Sequence, residues 1–175
     1  MPKTLETPLS PESESLSPTR ETSSIPRTGD SRWMYPSPRM FYNALKRKGF
    51  ETAPEDIDVM VDVHNFLNEG VWAEVMKWEA MHKGECAQPT LSRFRGRPAE
   101  LSPKAWIYHN VYGGLRPFDR HDWVVDRCGR EVRYVIDYYS SPEEGTFNVD
   151  VRPALDSPRA LLDRLRMAYN KWRNM

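Results

Sequence analysis

Four histidines are the side chains of this sequence best suited to bind a metal or move a proton, and they lie far apart. His64 is in the stretch VDVHNFLNEGVWAEVMKWEAMH, residues 61–82, among apolar residues and two tryptophans. A metal site made by protein side chains alone needs several ligands at a recognisable spacing. The two cysteines, Cys86 and Cys128, form no such spacing, so His64 is a single imidazole beside flat aromatic surface.

The sequence leaves two interpretations of His64 open. In the first, His64 is a core histidine whose ring is satisfied by hydrogen bonds. In the second, it is an axial ligand of a haem iron, which needs only one imidazole because the porphyrin supplies four nitrogens. Trp33 and Trp72 fit either case, since flat rings stack on a macrocycle and also fill ordinary cores.

A dense polar stretch, PFDRHDW, places His121 between Asp119 and Asp122 just before an apolar strand. The stretch is either a strand-entry loop or the site of a second functional histidine with an orienting carboxylate. Three cations follow along the chain: Arg127, Arg130 and Arg133. Arginine pairs bidentately with carboxylates, so these residues either contact haem propionates or belong to the charged surface.

The rest of the sequence contains few residues or motifs that indicate a specific chemistry. His82 is near the end of a predicted helix, where the helix dipole favours its protonated form, and His109 has no distinguishing context. The sequence contains no GxSxG, P-loop, GxGxxG or HExxH motif. It also contains no CxxCH, so the chain does not itself attach haem covalently as a c-type cytochrome does.

Composition limits the class of protein. The chain has 175 residues with 25 basic and 25 acidic side chains, so no basic excess favours nucleic acid. Mean hydropathy is −0.73, and no apolar run approaches membrane-spanning length. Two free thiols are expected at Cys86 and Cys128, with a disulfide as the alternative.

Residues 1–31 form a tail rich in proline, serine and threonine, with no apolar period. Such a segment buries too little surface to offset its ordering entropy, which predicts disorder. The tail is not expected to be a presequence, because acidic residues outnumber basic ones and a hydrophobic region is absent. The sequence therefore predicts a domain over residues 32–175.

Helices are predicted in the first half of this domain. Ser37 is a typical N-cap, Pro38 suits the first helical position and Gly49 ends the helix. A second helix is predicted over residues 54–67, where His64 shares an apolar stripe with other residues at helical spacing. Asn68 ends that helix, and a third helix follows over residues 71–82.

Alternating patterns follow from residue 91 onward. A hairpin is predicted around Cys128 and Gly129, with Arg127 paired to Arg130 and Trp123 paired to Tyr134. Another strand begins at Phe147, and the chain closes with a helix capped by Ser157 and Pro158. The predicted fold class is α+β, with N-terminal helices packed on an antiparallel sheet and a C-terminal helix.

Several long stretches resemble one known family, the mitochondrial cytochrome c haem lyases or holocytochrome c synthases. The resemblance runs from about residue 32 to the C-terminus. It is carried by WMYPSPRMFYNALKRKGF, VHNFLNEGVWAEVMKWEAMHKGEC, PFDRHDWVVDRCGREVRYVIDYY and DVRPALDS. The third of these is far more specific than any short motif.

The resemblance implies a carbon–sulfur lyase of the intermembrane space, held peripherally on the inner membrane. Such enzymes join the two vinyl groups of haem b to the thiols of a CxxCH motif in apocytochrome c. Haem and apocytochrome c are thus the implied partners, and no nucleic acid is expected. The tail departs from many members of the family because it lacks cysteine, so haem capture by a tail thiolate is not expected.

The resemblance also implies roles for individual residues. The haem-ligating histidine of the family matches His64, which would hold the iron, and a functionally important acidic residue matches Glu69. An early tryptophan and tyrosine match Trp33 and Tyr35. A second functional histidine matches His121, and an arginine important for activity matches Arg127. Trp72 and Arg133 are further candidates for contact with haem.

Thioether formation needs no nucleophile from the enzyme, because the substrate brings the thiols and haem brings the vinyl groups. The expected task is positioning, which can contribute on the order of 7 kcal/mol or more. Three alternatives remain from the sequence: a haem carrier or sensor without ligation activity, an interaction module without haem, and a lyase specialised for cytochrome c1.

Overall fold

A computed structural model describes residues 6–29, 31–141, 143 and 146–174 of the chain. The helices are α1 Pro11–Ser15, α2 Pro38–Arg47, α3 Ile57–Glu79, α4 Pro103–Asn110 and α5 Pro158–Arg173. The strands are β1 Thr22–Arg27, β2 Ser31–Met34, β3 Thr90–Gly96, β4 Asp119–Arg127, β5 Arg130–Ser140 and β6 Phe147–Pro153. The α+β class predicted from the sequence is confirmed.

The strands follow one another in the order β2-β1-β3-β4-β5-β6. Strands β3 to β6 pair antiparallel, whereas β1 and β3 pair in parallel through Arg27 and Leu91. The predicted antiparallel pairing is therefore confirmed from β3 to β6, and β1 adds a parallel pair that the sequence did not predict. Parallel neighbours need a long crossover, and residues 28–89 provide one that includes two helices.

By their contacts, the residues divide into two units. The first is drawn from residues 1–26 and 30–70, and the second from residues 27–29 and 71–175. In the first unit, Leu16 packs with Tyr42, Ile57 and Val61 to form a small apolar core. In the second unit, the fully buried side chains include Trp123 and others of the central strands: Leu91, Val125, Tyr134 and Ile136.

The structure corrects the expectation of disorder for residues 11–27, which contain α1 and β1. Helix α1 begins with a capping box between Ser10 and Ser13. Arg39 donates hydrogen bonds to the carbonyl oxygens of Ser13 and Leu16, and Leu16 and Ile25 are buried. A few buried apolar side chains and local hydrogen bonds therefore order a segment whose average composition resembles a disordered one. The domain boundary at residue 32 stays a prediction.

Helix α2 has the termini that the sequence predicts. Ser37 accepts a hydrogen bond from the backbone N–H of Met40 at 3.2 Å, and Pro38 occupies the first turn. Gly49 ends the helix with a φ of 80°, a left-handed conformation that favours glycine. The predicted caps of α5 are also confirmed, because Ser157 accepts from the backbone N–H of Ala160.

The prediction of two helices separated at Asn68 is wrong, because α3 is continuous from Ile57 to Glu79. The amide of Asn68 donates to the carbonyl oxygen of His64 at 2.6 Å, one turn back, and does not cap a new helix. Gly70 costs a helix about 1 kcal/mol. Burial of Val71 and Val75 in the following turns offsets that cost.

The predicted hairpin between β4 and β5 is confirmed with its register. Arg127 is opposite Arg130, and Trp123 is opposite Tyr134. The turn residues Cys128 and Gly129 have φ angles of 49° and 92°. Two positive φ angles are the mark of the tight turn that matches the twist of the flanking strands.

Cys86 and Cys128 form a disulfide across 42 positions of the chain, so the expectation of two free thiols is wrong. The loop after α3 and the hairpin turn bring the two Cα atoms to 5.5 Å, within the ordinary range for a disulfide. A cross-link that closes a loop of this length stabilises a fold by about 4 kcal/mol in the chain-entropy account.

Among the residues that the structure describes, none of the helices has the length and apolar character needed to cross a membrane.

Candidate functional site

His64 lies on α3 within the first unit and is partly buried. Its ring makes edge contacts with two aromatic rings, Tyr35 at 6.1 Å and Phe41 at 5.6 Å between centroids. Asparagine side chains approach both ring nitrogens: Asn65 Oδ1 is 3.2 Å from Nδ1, and Asn68 Nδ2 is 3.3 Å from Nε2. The imidazole is thus oriented by side chains from its own helix.

The partners of the two asparagines determine which ring nitrogen carries the proton. The Asn65 amide nitrogen donates to a carboxylate oxygen of Glu21 at 2.9 Å, which leaves Asn65 Oδ1 facing the ring as an acceptor. The Asn68 amide nitrogen donates to the His64 carbonyl oxygen, so it also meets the ring as a donor. His64 is therefore satisfied with a proton on Nδ1 and a lone pair on Nε2.

That lone pair is the group that a metal ligand requires. Burial lowers the pKa of His64 below its usual value of 6.5, and the hydrogen bond with Asn65 opposes the shift only in part. The imidazole is neutral at physiological pH, so protons do not compete for Nε2. An acceptor on Nδ1–H orients the ring and raises its basicity, as second partners of metal-bound histidines do.

The Glu69 carboxylate accepts several hydrogen bonds within the first unit. Its carboxylate is 2.6 Å from the Ser23 hydroxyl, 2.8 Å from the Tyr35 hydroxyl and 3.0 Å from the backbone nitrogen of Ser24. The Ser24 hydroxyl donates to it as well. Burial raises the pKa of Glu69, but these hydrogen bonds outweigh burial and hold the pKa below its usual value of 4.5. The carboxylate thus fastens β1 and Tyr35 to α3.

The structure brings Tyr35, Glu69 and His64 together, as three of the predicted site residues. Tyr35 is buried, and its ring contacts the imidazole while its hydroxyl donates to Glu69. Burial raises the pKa of Tyr35, so the phenol keeps its proton. Trp33 lies on β2 and is partly buried. Trp72 belongs to the second unit, where it is buried as an ordinary core residue would be.

His121 lies on β4 in the second unit, not in a loop before the strand. Its ring packs edge-on against Tyr138 at 5.5 Å, and Asp119 Oδ2 is 3.8 Å from its Nδ1. Gly96 on β3 makes this packing possible, because a Cβ there would be 3.2 Å from the His121 Nε2. The expected carboxylate neighbour is therefore present, although its distance exceeds that of a hydrogen bond.

Arg127 forms a buried, bidentate ion pair with Glu79 at the end of α3, with distances of 2.6 and 2.7 Å. Both side chains are 2% exposed. Tyr134 also donates to Glu79 at 2.6 Å. A direct contact of Arg127 with haem would require this pair to open, so the contact stays a prediction.

Arg133 is more accessible, with 35% of its side chain exposed. It pairs with Asp122 at 2.8 Å and bidentately with Asp156, and these pairs raise its pKa. The residue lines two cavities of the second unit, of about 480 and 510 Å³. Of the two arginines proposed to contact haem, Arg133 is the one that an anionic group can reach without breaking a buried pair.

Sequence reasoning missed the residues that position the candidate groups. Asn65 is adjacent to His64 in the sequence, which does not indicate a contact with the ring, whereas Asn68 follows by four positions, a spacing that places a side chain next to the ring on a helix. That spacing was a usable signal. Ser23 and Ser24 carried no signal, because they belong to the segment expected to be disordered.

Comparison with known proteins places the chain in a family. A sequence model of the family described as "Cytochrome c/c1 heme lyase" matches residues 1–168, almost the whole chain. The chain belongs to this family. The match includes the segment before residue 32 that the sequence resemblance left out, in agreement with the ordered α1 and β1.

Individual relatives of the family agree with that match. The chain is 47% identical to "Holocytochrome c-type synthase" of Bos taurus, over 98% of this chain and 66% of the relative. It is 46% identical to the Homo sapiens protein of the same name, over 98% of this chain and 68% of the relative. The Gallus gallus protein of this name is 48% identical, over 90% of this chain and 61% of the relative. The chain thus spans about two thirds of the length of these relatives.

No solved structure matches the chain significantly.

Proposed function

We propose that this protein is a holocytochrome c synthase, which attaches haem b to apocytochrome c through two thioether bonds. Family membership over residues 1–168 supports this activity. The single observation of the structure that carries the proposal is the neutral His64 imidazole. Asn65 orients its ring, and among the described residues the amide of Asn68 is the hydrogen-bond partner of its Nε2. In this role the nitrogen holds one face of the haem iron.

Attachment of haem requires no reacting group from the protein itself. Each cysteine S–H adds across one vinyl C=C bond, so that sulfur bonds to the vinyl carbon next to the ring and hydrogen ends on the terminal carbon. No oxidant or reductant is consumed in this addition. The protein contributes by holding haem and peptide together, since orientation alone can supply on the order of 7 kcal/mol or more.

The substrate completes the geometry. The histidine of its CxxCH motif binds the second face of the iron, which brings the two cysteines near the vinyl groups. Glu69 and Tyr35 keep α3 and its imidazole in place through the hydrogen bonds with β1. Arg133, beside its cavities, is the cation proposed to contact a propionate. His121 is proposed as the second functional histidine, and Trp33 and Trp72 are proposed to contact haem.

The proposed location is the mitochondrial intermembrane space, with the protein held at the surface of the inner membrane. The family resemblance supports this location.

Co-expression of the chain with apocytochrome c tests the proposal. The wild type is expected to yield cytochrome c whose haem resists acid–acetone extraction, and the purified enzyme to carry haem with a Soret band. His64→Ala is expected to abolish both signals. His109→Ala is the matched control, because His109 is exposed and its ring bonds to the backbone carbonyl oxygen of Gly114.

The outcomes separate the alternatives. Bound haem without any acid-resistant product would indicate a carrier or sensor, and absence of haem from the wild type would indicate an interaction module. Normal ligation by His64→Ala would remove His64 from the proposed role. The family description covers both c and c1, so parallel co-expression with apocytochrome c1 decides between the two substrates.

A further inference from the structure

Helix α5 exposes a stripe of large apolar side chains. Their exposed fractions range from 49% to 73%, and the residues are Leu161, Leu162, Leu165, Tyr169 and Trp172. Spacings of four, four and three residues from Leu161 to Trp172 place them on one face of the helix. A helix in water ordinarily buries such a face against the rest of its protein.

The opposite face of α5 already packs against the rest of the protein, so the stripe cannot turn inward. Ala160 and Asp163 are buried, and Asp163 is 2.9 Å from the Nε2 of the buried His82. Arg164 donates to the carbonyl oxygen of Pro153 at 2.8 Å. These contacts fix the rotation of the helix about its axis and leave the apolar stripe facing outward.

The charges of α5 are strongly one-sided. Its basic residues are Arg159, Arg164, Arg166, Lys171 and Arg173. Its only acidic residue is Asp163, which is buried against His82. Arg166 and Arg173 are exposed and, within the described part of the chain, form no ion pair. On the helix they border the apolar stripe on one side.

We propose that α5 lies in the surface of an anionic lipid bilayer, with its apolar stripe in the boundary between headgroups and acyl chains. A helix with leucine and aromatic residues on one face, cations beside them and low overall hydrophobicity is suited to this plane. Arg166 and Arg173 bind lipid phosphates, and Tyr169 and Trp172 lie where aromatic rings meet headgroups. This inference rests on the proposed surface attachment and names the face responsible for it.

Charge complementarity favours a lipid surface over a second copy of the chain. Two copies joined through this stripe would offer no accessible acidic residue of α5 to pair with Arg166 and Arg173. An anionic bilayer instead supplies negative charge along the whole helix, which is about 24 Å long.

Vesicle flotation with the full chain tests the proposal. The probes are phosphatidylcholine vesicles with and without about one fifth phosphatidylglycerol. The wild type is expected to float with the anionic vesicles and to be released by high salt. Arg166→Gln and Arg173→Gln are each expected to lower the partition coefficient roughly five-fold, and Leu165→Glu at least ten-fold.

Two control variants match these changes elsewhere on the chain. Phe50→Glu adds a charge at an apolar side chain that is 57% exposed, and Arg116→Gln removes an exposed cation. Both should float like the wild type. Thermal unfolding followed by circular dichroism shows whether Leu165→Glu is folded. The glutamine variants test the surface independently of that result.

The proposal is overturned if the wild type does not float, or if the α5 variants float as well as the controls. It is also overturned if Leu165→Glu abolishes only self-association in analytical ultracentrifugation. Haem ligation to co-expressed apocytochrome c, measured on the same proteins, keeps the two proposals separate. A wild type that attaches haem to apocytochrome c but does not float contradicts only the lipid proposal. One that floats but does not attach haem contradicts only the synthase activity.

Discussion

At the scale of single residues, the ionised carboxylate of Glu69 receives hydrogen bonds from Ser23, Ser24 and Tyr35. Glu69→Gln removes the charge and puts an amide donor opposite other donors. The free energy of unfolding is expected to fall by about 1–3 kcal/mol at neutral pH. Urea denaturation measures this difference, with Glu74→Gln as the control because Glu74 pairs with Lys77 at the surface of the same helix.

The pKa of Glu69 also fixes the pH dependence of that difference. Because the folded-state pKa is below 4.5, the unfolded chain takes up the proton first as the pH falls. The stabilisation by the carboxylate is therefore complete above pH 4.5 and is lost as the pH falls through the folded-state value. A gap between wild type and Glu69→Gln that stays constant down to strongly acidic pH would contradict this account.

The sequence left His64 as either a core histidine or a haem ligand, and the family resemblance made it the proposed ligand. It could not show that Asn65 and Asn68 set the tautomer, since that depends on Glu21 and a backbone carbonyl fixing each amide. Glu69 and Tyr35 were named by family resemblance alone. Their direct hydrogen bond is a property of the fold that no spacing in the chain indicates.

At the scale of elements, the pair of Arg127 and Glu79 joins β4 to the end of α3. Arg127→Met leaves the Glu79 carboxylate buried without its cation, which is expected to cost about 3–5 kcal/mol of unfolding free energy. Arg116→Met, at an exposed position, should change it little. Urea denaturation and haem content are measured on both variants. Loss of haem at unchanged stability would instead support a contact between Arg127 and a propionate.

The elements differ in how well the sequence predicted them. The β4–β5 hairpin was predicted with its register because alternation and a two-residue turn determine every pairing locally. The continuity of α3 was not, because Asn68 and Gly70 resemble a helix end. The Asn68 amide bonds to the His64 carbonyl oxygen one turn back, and the next turn of the helix is buried. That burial depends on residues distant in the chain, which the local sequence does not indicate.

At the scale of the whole molecule, the N-terminal segment is part of the fold. Leu16 is buried with Tyr42, Ile57 and Val61, so Leu16→Ala is expected to cost about 2–4 kcal/mol. Leu9→Ala is the matched control, because Leu9 is 51% exposed. Thermal unfolding compares the two variants. Equal melting temperatures would instead support the disordered tail that the composition predicts.

The hydrogen bond between the Asn68 amide and the His64 Nε2 has a kinetic consequence. In the role proposed for His64, an incoming iron would displace this terminal amide, whose rotation is a picosecond-to-nanosecond event, and capture would need no backbone rearrangement there. On departure of the proposed product, the same N–H would return to the vacated nitrogen and recover about 0.5–1.5 kcal/mol. Under the proposed function, replacement of the iron by the Asn68 amide would favour product release over retention by the imidazole.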